Sequence, residues 1–132
     1  MKRAFTLIEL MLVVIIIGIL SAMVMPRLAG RSEQARAQAA KVDINSGIPL
    51  ALDLYEMDLG RYPEALDYLR TRSGGDPQSW RGPYLKKKPM DPWGSPYIYK
   101  YPGQYNKEGY DLSSAGSDGQ AGTPDDIVNW GE

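Results

Sequence analysis

Between Ala4 and Met25 the chain runs through 22 residues with a single charge, Glu9. As an α-helix this unbroken apolar run would be about 33 Å long, enough to cross the hydrocarbon core of a bilayer. Pro26 closes it; inside a helix that residue removes one backbone hydrogen bond and produces a kink. Beyond Pro26 the pattern turns amphipathic. Leu28, Ala35, Ala39 and Val42, then Ile48, Leu52, Tyr55 and Leu59, recur at helical spacing, with Arg31, Glu33, Arg36, Lys41, Asp43 and Glu56 on the remaining surface. The expectation is a membrane-length helix running on into an amphipathic half whose apolar stripe packs against a globular domain. Gly47 and Pro49 interrupt that half. A proline costs about 3 kcal/mol within a regular helix, so a bend or break is predicted over Asn45–Pro49. Gly60, with Pro63 just beyond, is a natural stop.

Residues 61–89 lack a regular pattern. Pro63–Leu69 reads as a short helix with Glu64 in its first turn, Ser73–Pro77 as a loop, and Lys86–Lys88 as a solvated basic patch. From Asp91 the pattern becomes that of short strands: Tyr97–Tyr101, Gly109–Ser113 and Ile127–Trp130, with Pro102, Gly103 and the glycines at 116, 119 and 122 marking turns. A small antiparallel sheet packed on the second half of the long helix buries both apolar faces, an α+β arrangement. The organisation read from the chain is a short leader over 1–4, a transmembrane helix over 5–26, and a domain over 27–132. That domain divides into the amphipathic helix 27–59, a variable loop region 60–90 and the sheet with its terminal loop 91–132.

Composition narrows the chemistry. There are no cysteines and no histidines, which removes disulfides, thiolate chemistry, imidazole bases and the usual zinc sites together. A net charge of −1 gives no reason to expect nucleic acid as a partner. Lys2 and Arg3 precede the apolar run, so its start is expected to stay cytoplasmic and the remainder to lie across the membrane. The charged part is too short and the apolar part too long for a secretory signal peptide, so the helix is expected to be retained. No phosphate-binding loop is present, and no catalytic constellation is predicted.

Two places carry unusual residues. Glu9 is a carboxylate in an apolar helix, unfavourable by roughly 2.5–3.5 kcal/mol at a bilayer centre. Two readings fit it: a side chain near the helix end that reaches the interface, or a charge awaiting a cationic partner such as another copy's free N-terminal amine. The second place is the tail. Gln104–Glu132 holds six acidic residues and one lysine, a net charge of −5. Asp118, Asp125 and Asp126 lie in one glycine-rich stretch, which suits a hard cation such as Ca²⁺, bound by six to eight oxygens, though not with EF-hand spacing. An ordinary solvated acidic loop fits the composition as well.

Phe5-Thr6-Leu7-Ile8-Glu9, preceded by Lys2-Arg3 and followed by the apolar run to Pro26, resembles the N-terminus of type IV pilins and pseudopilins. The resemblance implies that a prepilin peptidase cuts between Ala4 and Phe5, that the new Phe5 amine is N-methylated, and that Glu9 neutralises a neighbour's N-terminus during filament assembly. Ala4 departs from the glycine usual before the cut. Asp91-Pro-Trp-Gly94, Pro102-Gly103 and Tyr110–Gly119 through Asp125–Trp130 resemble the major pseudopilins of type II secretion systems. That family has a type IV pilin-like fold and binds calcium in its C-terminal loop. Carried over position by position, Asp118 and Asp125 supply side-chain oxygens, Asp126 and Ser114 add to them, and Ala115 offers its backbone carbonyl; Asp111 falls inside a strand and serves the fold. Residues 71–88 are the least matched part, and Pro49 departs from the uninterrupted helix of the family.

What the resemblance implies is a non-enzymatic, single-pass inner-membrane protein with a periplasmic domain. It would polymerise into a helical filament, with minor pseudopilins and an inner-membrane secretion platform as partners, to drive export of folded proteins. Two rivals stand beside it. One is a subunit of a surface type IV pilus, which usually has a disulfide-closed C-terminal region; the other is a membrane-anchored module that never polymerises and binds sugar through its aromatic tail. Trp80, Trp93, Trp130 and the tyrosines are expected to fill the core instead.

Overall fold

The structure, a computed structural model, describes residues 3–72 and 78–131. The Ser73–Pro77 loop lies outside the described residues, as does Lys2. The chain divides into two compact units, 1–35 and 36–132. Helix α1 spans Leu7–Val42 with Pro26 inside it. It starts where Thr6 Oγ1 accepts the Glu9 backbone N–H at 3.3 Å. Thr6-Leu7-Ile8-Glu9 has the spacing of a capping box, with a carboxylate in the first turn where the exposed N–H groups favour negative charge. Within the first unit every described residue is exposed.

The interruption expected at Asn45–Pro49 is a π-helical segment, Asp43–Gly47, after which α2 runs from Ile48 to Leu59. A π turn takes one more residue than an α turn. Pro49 follows it in the first turn of α2, where its missing N–H is tolerated. The extra residue corrects the sequence-derived stripe. The buried positions are Ala40, Ile44, Ile48, Ala51, Leu52 and Tyr55, whereas Leu28 and Val42 are largely exposed and so is Ala39. Counting at a uniform α-helical period missed the phase upstream of the π segment. Gly60 ends α2 in the left-handed conformation, φ 80°, with its N–H on the Glu56 carbonyl at 2.7 Å.

The short helix expected over Pro63–Leu69 is a 3₁₀ turn at Leu66–Leu69, so Glu64 precedes it. Strands β1 (Ile98–Lys100), β2 (Asp111–Ser114) and β3 (Ile127–Val128) form an antiparallel sheet in the order β1-β2-β3. Ile98 faces Ser113 across the first pair and Ser114 faces Ile127 across the second. The core joins the inner stripe of the helix to Leu66, Leu69, Tyr97, Leu112 and Ile127.

Tyrosines tie the periphery to this core, each with its ring against apolar neighbours and its hydroxyl on an oxygen. Tyr97 donates to Asp43 in the π segment at 2.7 Å, Tyr84 to Asp58 on α2 at 2.7 Å, and Tyr99 to the Pro63 carbonyl at 2.8 Å. Burial first, then the neighbouring carboxylate, raises the Tyr97 and Tyr84 hydroxyls above their ordinary range, so both stay donors at neutral pH. Trp80 packs at the core edge with its indole N–H on the Tyr68 carbonyl. Trp130 differs from the core-filling expectation: it stacks on the exposed Tyr105, centroids 4.5 Å apart.

Candidate functional site

Two sites emerge at opposite ends of the sequence. At the first, Ala4, Phe5 and Glu9 are all exposed, as are the apolar side chains that follow. The 18-residue apolar stretch of this helix has mean hydropathy 2.8 and none of it is buried within the chain. Water is a poor solvent for such a surface, which makes the helix a candidate membrane anchor.

The second site is the loop between β2 and β3. Asp118, Asp125 and Asp126 each place a carboxylate oxygen within 4.8 Å of the others. Asp125 Oδ2 accepts the Ser117 hydroxyl at 2.9 Å and the Asp118 N–H at 3.0 Å. Asp118 Oδ1 accepts the Gln120 N–H at 2.8 Å, and Asp126 Oδ2 the Gly122 N–H at 2.6 Å. At the centre sits Thr123, whose Oγ1 lies 2.6 Å from Asp125 Oδ1, 3.2 Å from Asp126 Oδ1 and 2.9 Å from the Gln120 carbonyl. One hydroxyl hydrogen serves one of these three acceptors at a time. The Thr123 hydroxyl, then the Asp118 N–H, lower the Asp125 carboxyl to about 2, so it is ionised at neutral pH.

The loop leaves β2 through a turn that only glycine fits. Gly116 has φ 66°, and a Cβ there would meet the Asp125 carbonyl oxygen and lie 2.6 Å from Asp125 Oδ2. Ala115, just before it, is buried. Ser114 is fully buried; its hydroxyl donates to Asp91 Oδ2 at 2.7 Å and accepts the Gly116 N–H at 3.2 Å. The structure thus gathers three aspartates in one group and ties the Ser114 hydroxyl to the Asp91 turn. Asp91 also accepts the N–H groups of Trp93 and Ser95 on Oδ1, and is 4% exposed.

A family model described as type II secretion system (T2SS), protein G, matches residues 27–130, and one described as the prokaryotic N-terminal methylation motif matches residues 1–25. The chain belongs to the type II secretion system protein G family. Relatives named type II secretion system core protein G are 46% identical in Aeromonas hydrophila and 47% in Pseudomonas aeruginosa, each over 98% of this chain and over 92% and 95% of the relative. The Escherichia coli K12 relative of that name is 42% identical over 98% of this chain and 92% of its own length. The fold is similar to the crystal structure of the major pseudopilin from the type 2 secretion system of enterohaemorrhagic Escherichia coli. That similarity has a TM-score of 0.65 at 35% identity, over 78% of this chain and 89% of the other.

Membership in the protein G family settles the fold as pilin-like and sets aside the surface-pilus and lone-module readings. It is a family of structural subunits. The three aspartates are legible in the sequence; Ser117, whose hydroxyl bonds Asp125, and Thr123, whose hydroxyl bonds Asp125 and Asp126, were not expected. Thr123-Pro124-Asp125-Asp126 carried a usable signal: a hydroxyl two and three residues before two carboxylates folds back onto them locally.

Proposed function

We propose that the chain is the repeating subunit of a periplasmic pseudopilus whose core is built from its N-terminal helices and whose growth drives folded proteins towards the outer membrane. The observation that carries this reading is the helix itself: apolar, bare on every side, with one carboxylate in its first turn. Before assembly a bilayer covers that surface, with the N-terminus cytoplasmic and residues 27–132 periplasmic. After assembly neighbouring helices cover it. Cleavage between Ala4 and Phe5 creates a new amine, N-methylated on Phe5, and Glu9 of an adjacent copy supplies its counter-charge. Prepilin peptidase, minor pseudopilins and the inner-membrane platform are the partners on this reading, and a separate cytoplasmic ATPase is the energy source.

The acidic loop fits calcium. The donors are all hard oxygens; three carboxylates lie within 4.8 Å of one another, and two of them share with the Gln120 carbonyl a Thr123 hydroxyl that can satisfy one acceptor at a time. Asp118, Asp125 and Asp126 would hold the ion, with Ser114 and the Ala115 carbonyl as further ligands. Bound there, Ca²⁺ would offset two of the three clustered negative charges and cross-link the loop. The chain's own part is to hold the loop ready: Asp91 fixes Ser114, Ser114 fixes the Gly116 N–H, and Gly116 lets Asp125 approach. In a small cysteine-free domain this takes the place of a disulfide staple.

Mass spectrometry of the membrane-extracted protein tests the assembly reading. The expected mass lacks Met1–Ala4 and carries one methyl group on Phe5. An intact Met1–Ala4 on the mature protein would overturn it.

A further inference from the structure

The outward side of the helix carries a second apolar line, distinct from the buried one. Val42, Leu50, Leu54 and Met57 are 54%, 63%, 43% and 80% exposed. Leu50, Leu54 and Met57 follow the i, i+4, i+7 spacing of one helix face. Val42 joins them because of the π segment. Two α turns take about seven residues, so residues eight apart drift out of line on an ordinary helix. One α turn plus one π turn takes one residue more, which brings Val42 back over Leu50. Two of the three charges of α2 are drawn elsewhere: Asp53 accepts the Tyr62 hydroxyl at 3.3 Å and Asp58 that of Tyr84 at 2.7 Å. Single exposed apolar side chains need no explanation, but four on one line form a patch.

A bilayer does not cover this patch, because Arg27, Arg31, Glu33, Arg36 and Lys41 intervene between the apolar run and Val42. We infer that Val42, Leu50, Leu54 and Met57 seat a second copy of this chain, as a subunit contact of the globular domains. The inference rests on the filament reading above. In an assembly of one repeated subunit, a patch left exposed among the described residues of its own copy meets a different surface of the next, a head-to-tail contact.

The chain has no native thiol, so an introduced one reports alone. Full-length Leu50→Cys, Leu54→Cys and Met57→Cys are labelled with a maleimide, both as detergent-dispersed subunits and as pelleted filaments, against labelling after denaturation. The expected result is at least a tenfold slower reaction in filaments at all three positions. Equal rates in filaments and subunits overturn this contact while leaving the filament reading intact. Failure of the unlabelled wild-type chain to form filaments at all overturns both. Protection already present in dispersed subunits overturns the contact, since the cover is then not a second copy. As a second variant, Leu54→Asp is expected to keep its melting temperature and lose at least tenfold in filament yield; wild-type yield overturns the proposal.

Discussion

The apolar helix and the terminal loop solve opposite problems. Along residues 4–35 no described side chain is buried, and the only charge of the apolar run is Glu9 at its start. The helix satisfies its backbone internally and leaves its side chains to whatever surrounds it. Residues 114–126 do the reverse. They hold few apolar side chains, and their order comes from short local bonds among carboxylates, hydroxyls and N–H groups around Thr123. A surface stabilised by its surroundings can exchange one environment for another; a loop stabilised by its own bonds, or by one cation, stays as it is while that exchange happens. The contrast teaches where change is tolerated. The helix is sensitive to one charge, and the loop to the loss of any donor or acceptor.

The largest effect is expected at the helix. Glu9→Ala should reach the membrane as well as the wild type, because it removes a charge that costs roughly 2.5–3.5 kcal/mol at a bilayer centre. The helix start should also survive, since Thr6 accepts the backbone N–H of residue 9, which alanine keeps. Filament yield, measured by sedimentation and electron microscopy, should nevertheless fall at least tenfold. Wild-type yield would mean that the Glu9 charge plays no part in assembly.

The loop gives the next largest. A ligand at one hundred times its dissociation constant stabilises the folded state by about 2.7 kcal/mol, and a domain near 100 residues shifts by about 4–8 °C per kcal/mol. Calcium should therefore raise the melting temperature of the wild type by about 10 °C or more over its value in chelator. Asp118→Ala should melt low and show no such difference. Identical wild-type curves with and without chelator would leave the aspartates as a self-bonded loop and remove calcium from the account.

How much of this was legible beforehand depends on range. The apolar run, the Gly60 stop, the three strands and the aspartate group are written in local pattern, and each lies within two or three residues of its expected place. The inner stripe was not legible upstream of residue 48. A π turn shifts phase by one residue, and nothing in Asp43-Ile44-Asn45-Ser46-Gly47 distinguishes that from a kink at Pro49. Asp91 stood out in the sequence only as part of the Asp91-Pro-Trp-Gly94 resemblance. Its buried bond to Ser114, 23 residues away, has no local signature. Asp111 was assigned to the fold on its strand position alone, and the structure supplies the reason: its carboxylate accepts the N–H groups of Gln104, Tyr105 and Asn106 at 2.6, 3.0 and 2.9 Å.

Asp111 also permits the smallest and sharpest test, because it is a self-bonded carboxylate three residues before Ser114. Burial alone would raise its carboxyl, but the N–H groups of Asn106, Tyr105 and Gln104 outweigh that and hold it below the ordinary 3.8. A carboxylate favoured in the folded state contributes stability that is complete above the ordinary value and is lost as pH falls through the lower, folded one. Asp111→Asn keeps the size and one oxygen but turns an NH₂ towards backbone donors, costing about 1.5–3 kcal/mol at neutral pH. With chelator present, so that the loop aspartates hold no ion, the wild type should lose stability faster than the variant below pH 3.8. The two denaturation curves should then converge in acid. Curves that stay parallel would mean that the substituted amide is costly through its shape, and that the charge on Asp111 contributes nothing to the turn it closes.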